Sequence, residues 1–371
     1  MSIVVSGMLA GVPRQGGATW SVLQYLLGLR RLGHDVWFVE PATGAGVRAS
    51  PAARYFADVC EEFGLRGRAA LVDPETGATA GLTRGELLRV ANGADLLLNL
   101  SGVLADEELL DAIAVRAFVD IDPVFTQLWH AGDGLDLGFS RHNRFVTIGQ
   151  AIGSPGCDVP TCGRRWVTTP QPVVLEQWPV AEGVEHDGLT TIGHWRSYGA
   201  IEHRGVHYGQ KAHSLRELID MPSRCDKSFE LALGIHPDET ADLEALRANG
   251  WRLLDPDAVA GTPARYRDFV AGSWAEIGIA KSGYVAGAGG WFSDRSVCYL
   301  SSGRPVVAQD TGFGPFVPTG QGLLAFATGE EALEAIAAVR GDYERHRRGA
   351  RALAEEVFDS DRVLTRLLQC L

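Results

Sequence analysis

Long apolar runs are absent from this sequence of 371 residues. No stretch of about 18 apolar residues occurs, so no segment is predicted to span a membrane. The opening MSIVVSGMLAG lacks the basic region and the long apolar run of a signal peptide, and it is typical of a buried strand. Since 46% of the residues are hydrophobic and 22% are charged, we expect a globular chain long enough for two domains.

Closely spaced cysteines are also rare. The six cysteines are scattered, and the one close pair, Cys157 and Cys162, lies in GCDVPTCG. A zinc site would need two more ligands at a matching spacing, and there is no second pair. We therefore expect reduced thiols in a cytoplasmic protein and no metal site.

Positive charge is in deficit, since the formal net charge is -12. An acidic surface repels nucleic acid and anionic membranes, so we expect neither as a partner. A small anionic ligand remains compatible with this charge, because helix N-termini and a few Arg or Lys side chains can bind it locally. The composition predicts no particular oligomeric state.

The sequence does contain a regular alternation of short apolar strands and amphipathic helices. A strand at 2–6, a glycine-rich loop, a helix at 20–32 and a strand at 35–39 form a βαβ opening. The alternation breaks between 153 and 187, a segment rich in Pro, Gly and Thr that is typical of a linker. A second alternating series then starts at 189. This order predicts an α/β protein with mostly parallel sheets.

The segment 280–327 is the most informative one for function. It predicts a strand, a glycine-rich loop, a helix beginning after Ser293, a Gly-Arg-Pro turn and another strand. The exposed N–H groups and positive dipole of the helix start can bind a diphosphate. Taken alone, the glycine cluster is better explained by an ordinary loop between a strand and a helix. The donor-binding residues predicted here are Gly289, Gly290, Ser293, Asp294, Arg295 and Ser296.

The order of these elements resembles the C-terminal domain of GT-B-fold glycosyltransferases. In that family a nucleotide-sugar helix precedes a small-Gly-x-Pro-Val-Val strand and a Gly-Leu-Leu strand, which correspond here to SGRPVV at 302–307 and GLL at 322–324. The resemblance is detailed over the last quarter of the chain. It implies two Rossmann-like domains facing across a cleft, with residues 1–180 on the acceptor side and 188–350 on the donor side. It also implies a final helix at 351–371 that crosses back to the first domain.

The activity implied by this resemblance is sugar transfer of the hexosyltransferase type. The sugar would move from a nucleoside-diphosphate sugar, as co-substrate and without another cofactor, to a small-molecule acceptor such as a natural product. Cys298 stands where many retaining members carry a Glu that contacts the ribose, and Gly-Ala-Gly-Gly at 287–290 replaces the common His-Cys-Gly signature. These departures leave the subfamily, the nucleotide and the stereochemistry open.

The N-terminal loop at 7–19 is a second predicted donor contact. By the resemblance, Gly16 and Gly17 would lie beside the donor phosphates. The loop lacks the G-x-G-x-x-G fingerprint of a nicotinamide-dependent oxidoreductase, although Glu40 ends the second strand where a ribose-binding acid would sit. An oxidoreductase is therefore a less favoured alternative, and a nucleotide-sugar epimerase of the same fold is the other.

Asp120 and Asp122 lie in FVDIDP, at the carboxyl end of a predicted strand. That edge of a parallel sheet faces the crevice, so a carboxylate there can take the proton of an acceptor hydroxyl. A turn or capping role is equally compatible. The D-x-D pattern is typical of metal-dependent enzymes of the other glycosyltransferase fold, so we expect no metal here. His130 and His142 are lesser candidates.

Aromatic and cationic residues cluster in the segment 190–222. The resemblance implies an Arg and a Lys after the first strand of the second domain, and Arg196 and Lys211 are the candidates in this chain. Cationic donors there would stabilise a departing nucleoside diphosphate. The alternative is a solvated, positively charged loop.

Overall fold

A computed structural model describes residues 1–42, 47, 50–132 and 134–371. It has two α/β domains, each built on its own sheet. The predicted fold class, two Rossmann-like domains facing across a cleft, is confirmed. The domain boundaries drawn from the sequence remain predictions.

The N-terminal domain is built on an eight-stranded sheet in the order β4-β3-β2-β1-β5-β6-β7-β8. All neighbouring strands are parallel except β3 and β4. The strands are β1 (Ser2–Ser6), β2 (Asp35–Pro41), β3 (Ala69–Val72), β4 (Thr79–Gly81), β5 (Leu96–Leu100), β6 (Arg116–Asp120), β7 (Arg144–Thr147) and β8 (Trp166–Thr168). The helices are α1 (Gly16–Arg31), α2 (Pro51–Glu62), α3 (Arg84–Asn92), α4 (Glu107–Asp111) and α5 (Phe125–Gly132).

The C-terminal domain is built on a parallel six-stranded sheet in the order β13-β12-β9-β14-β15-β16. Its strands are β9 (His186–His194), β12 (Ser228–Gly234), β13 (Trp251–Leu253), β14 (Ser273–Gly278), β15 (Val306–Gln309) and β16 (Leu323–Phe326), and β10 (Ile201–His203) with β11 (Val206–Tyr208) form a separate hairpin. The helices are α6 (Lys211–Glu217), α7 (Thr240–Ala248), α8 (Pro256–Ala260), α9 (Pro263–Gly272), α10 (Ser282–Gly287), α11 (Asp294–Ser301), α12 (Gly329–Gly341), α13 (Tyr343–Leu353) and α14 (Ser360–Cys370).

Both sheets reverse their strand order at one point. Counted within its own domain, the C-terminal sheet has the order 3-2-1-4-5-6, and the N-terminal sheet has the order 4-3-2-1-5-6-7-8. In such sheets ligands bind beyond the carboxyl ends of the strands where the order reverses. The reversals lie between β1 and β5 and between β9 and β14, so a ligand site is expected at these strand ends.

Local capping signals determine where several helices begin. Thr83 and Glu86 form a capping box at α3, and Thr328 and Glu331 form another at α12. Ser50 caps α2 by accepting a hydrogen bond from the Ala53 N–H. These polar residues satisfy backbone donors that the first helical turn leaves free.

The structure differs from the sequence-based expectation at α1, which begins at Gly16 instead of residue 20, in the linker and in the terminal helix. The predicted linker contains β8, because residues 166–168 pair with β7 at the sheet edge. The predicted terminal helix is divided, since a π-helical turn at Ala354–Phe358 and the extended Asp359 separate α13 from α14. A bridge between Val173 and Asp359 holds this break against the N-terminal domain. Beyond the break, α14 packs on α1, where a Cβ at Gly28 would lie 2.6 Å from Leu364.

Glycines allow the two domains to approach closely on one side of the cleft. A Cβ at Gly16 would lie 2.4 Å from the carbonyl oxygen of Thr262, and one at Gly17 would lie 2.8 Å from the Tyr266 ring. Trp20 completes the contact by donating its Nε1–H to the Pro263 carbonyl at 2.9 Å. The backbone of α1 therefore rests directly on α9 and the turn before it.

A second glycine contact joins the domains on the other side. The Ala151 N–H donates to the Gly289 carbonyl at 3.0 Å, and the Gln150 N–H donates to the Gly290 carbonyl at 3.3 Å. A Cβ at Gly290 would lie 2.6 Å from the Ala151 nitrogen. Gly289 and Gly290 make room here for the backbone of the other domain, and their predicted contact with the donor stays a prediction.

The described part of the chain was compared with the requirements for crossing a membrane and for binding a metal ion. None of its helices is both long enough and apolar enough to cross a bilayer. Within the same residues, no group of three or more His, Cys, Asp and Glu side chains is arranged to hold a metal ion.

We expect Gly16→Ala to destabilise the contact between the domains. The new methyl group would lie 2.4 Å from one backbone carbonyl oxygen and 2.7 Å from another, that of Ala260, so α1 must move away from α9. The expected loss is about 1–3 kcal/mol of unfolding free energy, the usual effect of overpacking, measured by calorimetry. Gly85→Ala in α3 is the control, because nothing lies within 4 Å of its Cβ position. Equal stability of the two variants would contradict the packing argument.

Candidate active site

Two cavities lie in the cleft between the domains. The first, here called the polar cavity, has a volume of about 320 Å³ and is lined by polar and charged groups, among them Asp122, Lys211 and Lys281. The second, the apolar cavity, has a volume of about 370 Å³ and includes Gly16 and Tyr266. Both cavities include the same four residues, so they are two lobes of one site. The shared residues are Gly193, His194, Asp294 and Arg295.

The start of α11 lies at this junction. Ser293 occupies the N-cap position, but its side chain makes no capping hydrogen bond. Ser293, Asp294 and Arg295 all line the polar cavity. A helix start without a side-chain cap presents its N–H groups and the positive end of its dipole. This end of α11 therefore favours an anionic group, and donor binding by Ser293, Asp294 and Arg295 stays a prediction.

Arg295 and Lys211 are the cations beside the helix start. A Cβ at Gly193 would lie 3.5 Å from Lys211 Cε and 3.8 Å from a terminal nitrogen of Arg295, so both side chains flank that glycine. Arg295 is oriented by Glu276, whose carboxylate accepts from Nε at 2.5 Å, and by the Ile192 carbonyl at 2.9 Å. The guanidinium and the ammonium thus stand together at the junction.

Lys211 is buried rather than placed in a solvated loop. It is the first residue of α6, it is 7% exposed, and its ammonium donates to the Ile279 carbonyl. Burial lowers the pKa of Lys211 well below its usual value, and the positive charge of Arg295 lowers it further. An anionic ligand at the junction would oppose both effects by stabilising the charged form.

Arg196 does not share this position. Its Nε donates to Glu239 at 2.6 Å in an ion pair whose arginine side chain is 39% exposed. Of the two cations predicted to stabilise the departing diphosphate, Lys211 therefore lies at the junction and Arg196 lies away from it, and Arg295 is the cation that stands beside Lys211. The loop after β9 carries Arg196 outward, whereas α11 starts at the junction itself.

Asp122 lines the polar cavity from the N-terminal side and is held by two residues of the other domain. Its Oδ1 accepts from the Tyr284 hydroxyl and, at 3.4 Å, from Lys281 Nζ. Lys281 also donates to the Tyr198 hydroxyl and lies 4.0 Å from the centroid of that ring. The carboxylate is therefore placed at the cavity only when the two domains are together.

Asp120 faces the interior of its own domain. It is fully buried, and its carboxylate accepts from Gln127 Nε2 and from Thr147 Oγ1, each at 2.7 Å. Burial raises the pKa of Asp120 to about 6. The hypothesis that Asp120 takes a proton from an acceptor is corrected, because its oxygens bind the turn that follows β6 instead of reaching the cavity.

Glu40 is also a structural residue. Its buried carboxylate accepts from the backbone N–H groups of Leu9, Ala10 and Gly11 at 2.5–3.1 Å. It therefore holds the loop between β1 and α1 and is not available to a ribose. Burial raises the pKa of Glu40 to about 7, against the lowering effect of these three backbone donors.

The other site residues predicted from the sequence lie in different parts of the structure. Gly16 and Gly17 line the apolar cavity at the start of α1. Ser296 is buried against Gly278 of β14, where a Cβ would lie 3.6 Å from its Oγ. His142 bonds to Asn99 and to the Gly138 carbonyl inside the N-terminal domain, and His130 bonds to the Leu135 carbonyl.

Several lining residues were missed from the sequence. Lys281, Tyr284 and Trp291 line the polar cavity, and the rings of Tyr284 and Trp291 stack at 4.1 Å between centroids. His194 lies at the junction, and burial lowers its pKa, helped by Lys281 and Lys211. The sequence does contain a signal for two of these residues. His194 ends β9 and Lys281 closely follows β14, and these are the two strands beside the point where the strand order reverses.

Two Rossmann-like domains with a shared cleft at their strand ends define the GT-B architecture, and the chain has the fold of the GT-B glycosyltransferases. No protein-family model and no curated protein sequence matches the chain. Solved structures match it over nearly its whole length. At the low sequence identities given below, the likeness shows the fold.

Three of these structures illustrate the likeness. An alpha-glucosyltransferase in complex with UDP and a 13-mer DNA has 12% identity and a TM-score of 0.64, with 99% of this chain and 98% of that chain covered. AviGT4, a glycosyltransferase involved in avilamycin A biosynthesis, has 15% identity and a TM-score of 0.56, with coverage of 100% and 96%. HepE from Anabaena, in complex with UDP and glucose, has 13% identity and a TM-score of 0.61, with 100% of both chains covered.

The exclusion of nucleic acid on the basis of net charge is wrong. The alpha-glucosyltransferase of the same fold was solved with DNA bound. A net charge of -12 is a sum over the whole chain, whereas a bound partner meets the field of one local surface. The overall charge of this fold therefore does not decide whether nucleic acid binds.

We expect the stability of the chain to depend on pH through Glu40. Its pKa is about 7 in the folded protein against an ordinary 4.5, so the folded state holds a proton that the unfolded state releases between these values. Stability then falls as pH rises from about 4.5 to about 7, by up to about 3 kcal/mol.

The measurement is urea unfolding of wild type and Glu40→Gln across this pH range. The glutamine does not titrate, so the stability of wild type relative to the variant should decrease steadily as pH rises. A constant difference between the two proteins would contradict the raised pKa of Glu40.

Proposed function

We propose that this chain is a glycosyltransferase that moves a sugar, of hexose size, from a nucleoside-diphosphate sugar to a hydroxyl of a small-molecule acceptor. The observation that carries the proposal is that Lys211 and Arg295 stand side by side at the start of α11, where the N-cap side chain makes no capping hydrogen bond. Two buried cations and a helix N-terminus converge on one point between two cavities, which suits a diphosphate that joins two larger groups.

The donor is assigned to the two cavities by their chemistry. The apolar cavity, with Tyr266 and Ala260 in its wall, takes the nucleoside. The junction takes the diphosphate, and the polar cavity takes the sugar and the acceptor hydroxyl. This arrangement places the bond to be broken beside Lys211 and Arg295, on the side of the polar cavity.

The cations act on the leaving group. As the bond between sugar and phosphate breaks, negative charge grows on the departing phosphate oxygen. Lys211 and Arg295 are already buried and oriented by protein groups, so they stabilise this charge without rearrangement. We propose no cofactor beyond the nucleoside-diphosphate sugar itself.

Asp122 is the proposed base for the acceptor. Its Oδ1 holds the bonds from Tyr284 and Lys281, and we assign the acceptor hydroxyl to Oδ2. The proton of that hydroxyl moves to Asp122 while the hydroxyl oxygen bonds to the sugar. Since Tyr284 and Lys281 belong to the donor domain, the base is oriented only in the closed cleft, which limits attack by water.

The oxidoreductase alternative loses its main support, because the Glu40 carboxylate is occupied by three backbone N–H groups. An epimerase would use the same donor site but would not require an acceptor. Acceptor-dependent release of nucleoside diphosphate therefore separates transfer from epimerisation.

We expect Lys211→Met to lower the turnover number by roughly 10²–10³, the usual effect of losing one transition-state donor. Nucleotide affinity should change less, because negative charge on the leaving oxygen is greatest in the transition state. The measurements are release of diphosphate from a panel of nucleoside-diphosphate sugars, and thermal shift with UDP, GDP, TDP and NAD. A shift with one diphosphate and none with NAD is expected of the wild type.

Arg196→Ala is the matched control for this experiment, because its side chain is paired with Glu239 at the surface. It should retain near wild-type turnover. If Arg196→Ala abolished turnover and Lys211→Met did not, the diphosphate would lie on the other side of the loop after β9. If NAD alone stabilised the protein, the transferase proposal would fail.

We expect Asp122→Asn to lower acceptor-dependent turnover by about 10²–10⁴, the usual contribution of a general base. The amide keeps the shape of the side chain but cannot take the proton. Nucleotide affinity, measured by calorimetry, should stay within a factor of about two, since the diphosphate site is formed by the other domain. Asp111→Asn, at an exposed position of the same domain, is the control. Unchanged turnover in Asp122→Asn would assign the proton transfer to another group.

A further inference from the structure

The wall that the N-terminal domain contributes to the polar cavity is almost entirely polar. Five described residues form it, and four of them carry hydrogen-bonding side chains: Ser21, Ser101, Asp122 and Gln171, with Ile121 as the apolar member. Pockets for small molecules are usually lined mainly by hydrophobic and aromatic side chains, with few polar groups. Since the proposed acceptor approaches Asp122 on this side of the cleft, the acceptor must itself offer hydrogen-bonding groups to the wall.

Gln171 supplies a buried amide to this wall. The residue follows β8 and is 6% exposed, and no other described residue forms a hydrogen bond with its side chain. It borders the polar cavity. A buried amide without partners is costly and uncommon. Because an amide both donates and accepts, and a hydroxyl does the same, the side chain of Gln171 is suited to a hydroxyl of a ligand.

Ser101 is fixed close to Asp122. It directly follows β5, and its N–H donates to the Val119 carbonyl of β6 at 2.8 Å, three residues before Asp122. Its φ of 55° is uncommon for a residue with a side chain, and such conformations cluster at functional sites. The Ser101 hydroxyl borders the polar cavity and has no hydrogen-bond partner in the described chain. It is therefore placed for a ligand group next to the one that reacts at Asp122.

The polar groups occupy two separate positions on the wall. Ser21 and Gln171 border both the polar cavity and a small space between α1, α9 and α11, so they lie together on the side of α1. The Ser21 hydroxyl donates to the Ala18 carbonyl at 2.7 Å and retains its capacity to accept. Ser101 and Asp122 lie together at the strand ends instead. A ligand that satisfies both positions must carry hydroxyls on more than one side.

The size of the polar cavity limits the ligand as well. Its volume of about 320 Å³ is at the lower end of the range of about 300–1,000 Å³ for ligand pockets. The proposed transferred sugar takes part of this space, so the bound part of the acceptor is about one ring. An apolar ring of that size would leave the Gln171 amide buried and unpaired.

We propose that the acceptor is a ring polyol, a monosaccharide or a cyclitol, of which one hydroxyl reacts at Asp122 while others bind to Ser101 and Gln171. The inference rests on the proposed function, since it assumes that Asp122 takes the proton of an acceptor. That hydroxyl gives its proton to Asp122, and its oxygen bonds to the sugar as the bond to the diphosphate breaks. The other hydroxyls do not react, so Ser101 and Gln171 determine which acceptor binds.

The first test compares two classes of acceptor on the full chain, with a nucleoside-diphosphate sugar that the protein binds. One arm uses glucose, galactose, mannose, N-acetylglucosamine and myo-inositol. The other arm uses 2-naphthol, 4-nitrophenol and 1-octanol, which carry one hydroxyl on an apolar body. The measurement is acceptor-dependent release of nucleoside diphosphate. We expect at least one polyol to have a kcat/KM about 100-fold above every apolar acceptor, because the apolar compounds leave buried polar groups unpaired.

Two variants connect that preference to the wall. Gln171→Met removes the amide at similar volume, and Ser101→Ala removes the hydroxyl. Each should raise KM for the best polyol by about 3- to 10-fold, the usual effect of losing one hydrogen bond. The turnover number and the nucleotide affinity should stay within a factor of about two, because neither side chain is assigned to the reacting atoms or the diphosphate. Melting temperatures show whether each variant remains folded.

A deoxy series and a matched control complete the experiment. Wild type should use one deoxy form of the best polyol about 10-fold less well than the parent, and Gln171→Met should use the two within about threefold of each other. Gln177→Met is the control, since Gln177 belongs to the same segment, at Leu175–Gln177, and borders neither cavity. It should keep the wild-type KM and the wild-type discrimination.

The outcomes separate this inference from the function on which it rests. If an apolar acceptor is used better than every polyol, the inference fails while the transferase proposal stands. The inference also fails if a nucleoside diphosphate binds but no polyol accelerates its release from the donor. If polyols are preferred but Gln171→Met and Ser101→Ala both keep the wild-type KM, the acceptor is bound elsewhere and the inference fails again. If no nucleoside diphosphate binds at all, both proposals fail.

Discussion

The close approach of backbone to backbone between the two domains is the constraint on which the site depends. Gly16 meets the carbonyl of Thr262 on one side of the cleft, and Gly290 meets the backbone of Ala151 on the other. A side chain at either glycine would hold the domains apart, because the neighbouring atoms are backbone and cannot turn away. The cavities between these contacts take their walls from both domains, so the spacing of the glycines determines how large a ligand the cleft can enclose.

Within that cleft, ion pairs and hydrogen bonds orient the charged side chains. Arg295 is held by Glu276, and Lys281 is held by Asp122 and Tyr198. Among the described residues, Lys211 donates to the Ile279 carbonyl, and the Asp294 carboxylate accepts from the backbone N–H of Arg295. Burial of charge is costly, which is why the diphosphate of the proposed ligand is placed beside Lys211 and Arg295.

The errors of the sequence-based prediction have particular physical causes. Asp120 and Asp122 are two residues apart at a strand end, but the turn after β6 places one inside the domain and the other at the cavity. Arg196 and Arg295 are both cations near strand ends, and only packing shows that the first pairs with Glu239 outside and the second with Glu276 inside. The glycines at 289–290 were correctly expected to permit a close approach, yet the approaching atoms are those of the partner domain. Composition and spacing describe what a residue can do, and do not describe what it faces.

The sequence by itself determined the alternation of strands and helices, the two-domain α/β architecture, the helix start at Ser293 and Asp294, and the resemblance to GT-B glycosyltransferases. These features are local, because apolar periodicity, capping residues and turn glycines act over a few residues of chain. Tertiary structure alone decided that Lys211 is joined by Arg295, that Asp122 is oriented by Tyr284 and Lys281, and that Ser101 and Gln171 border one cavity. Each of these pairings joins residues far apart in the chain. Their distances follow from how two sheets and their helices pack across the cleft, which no local pattern specifies.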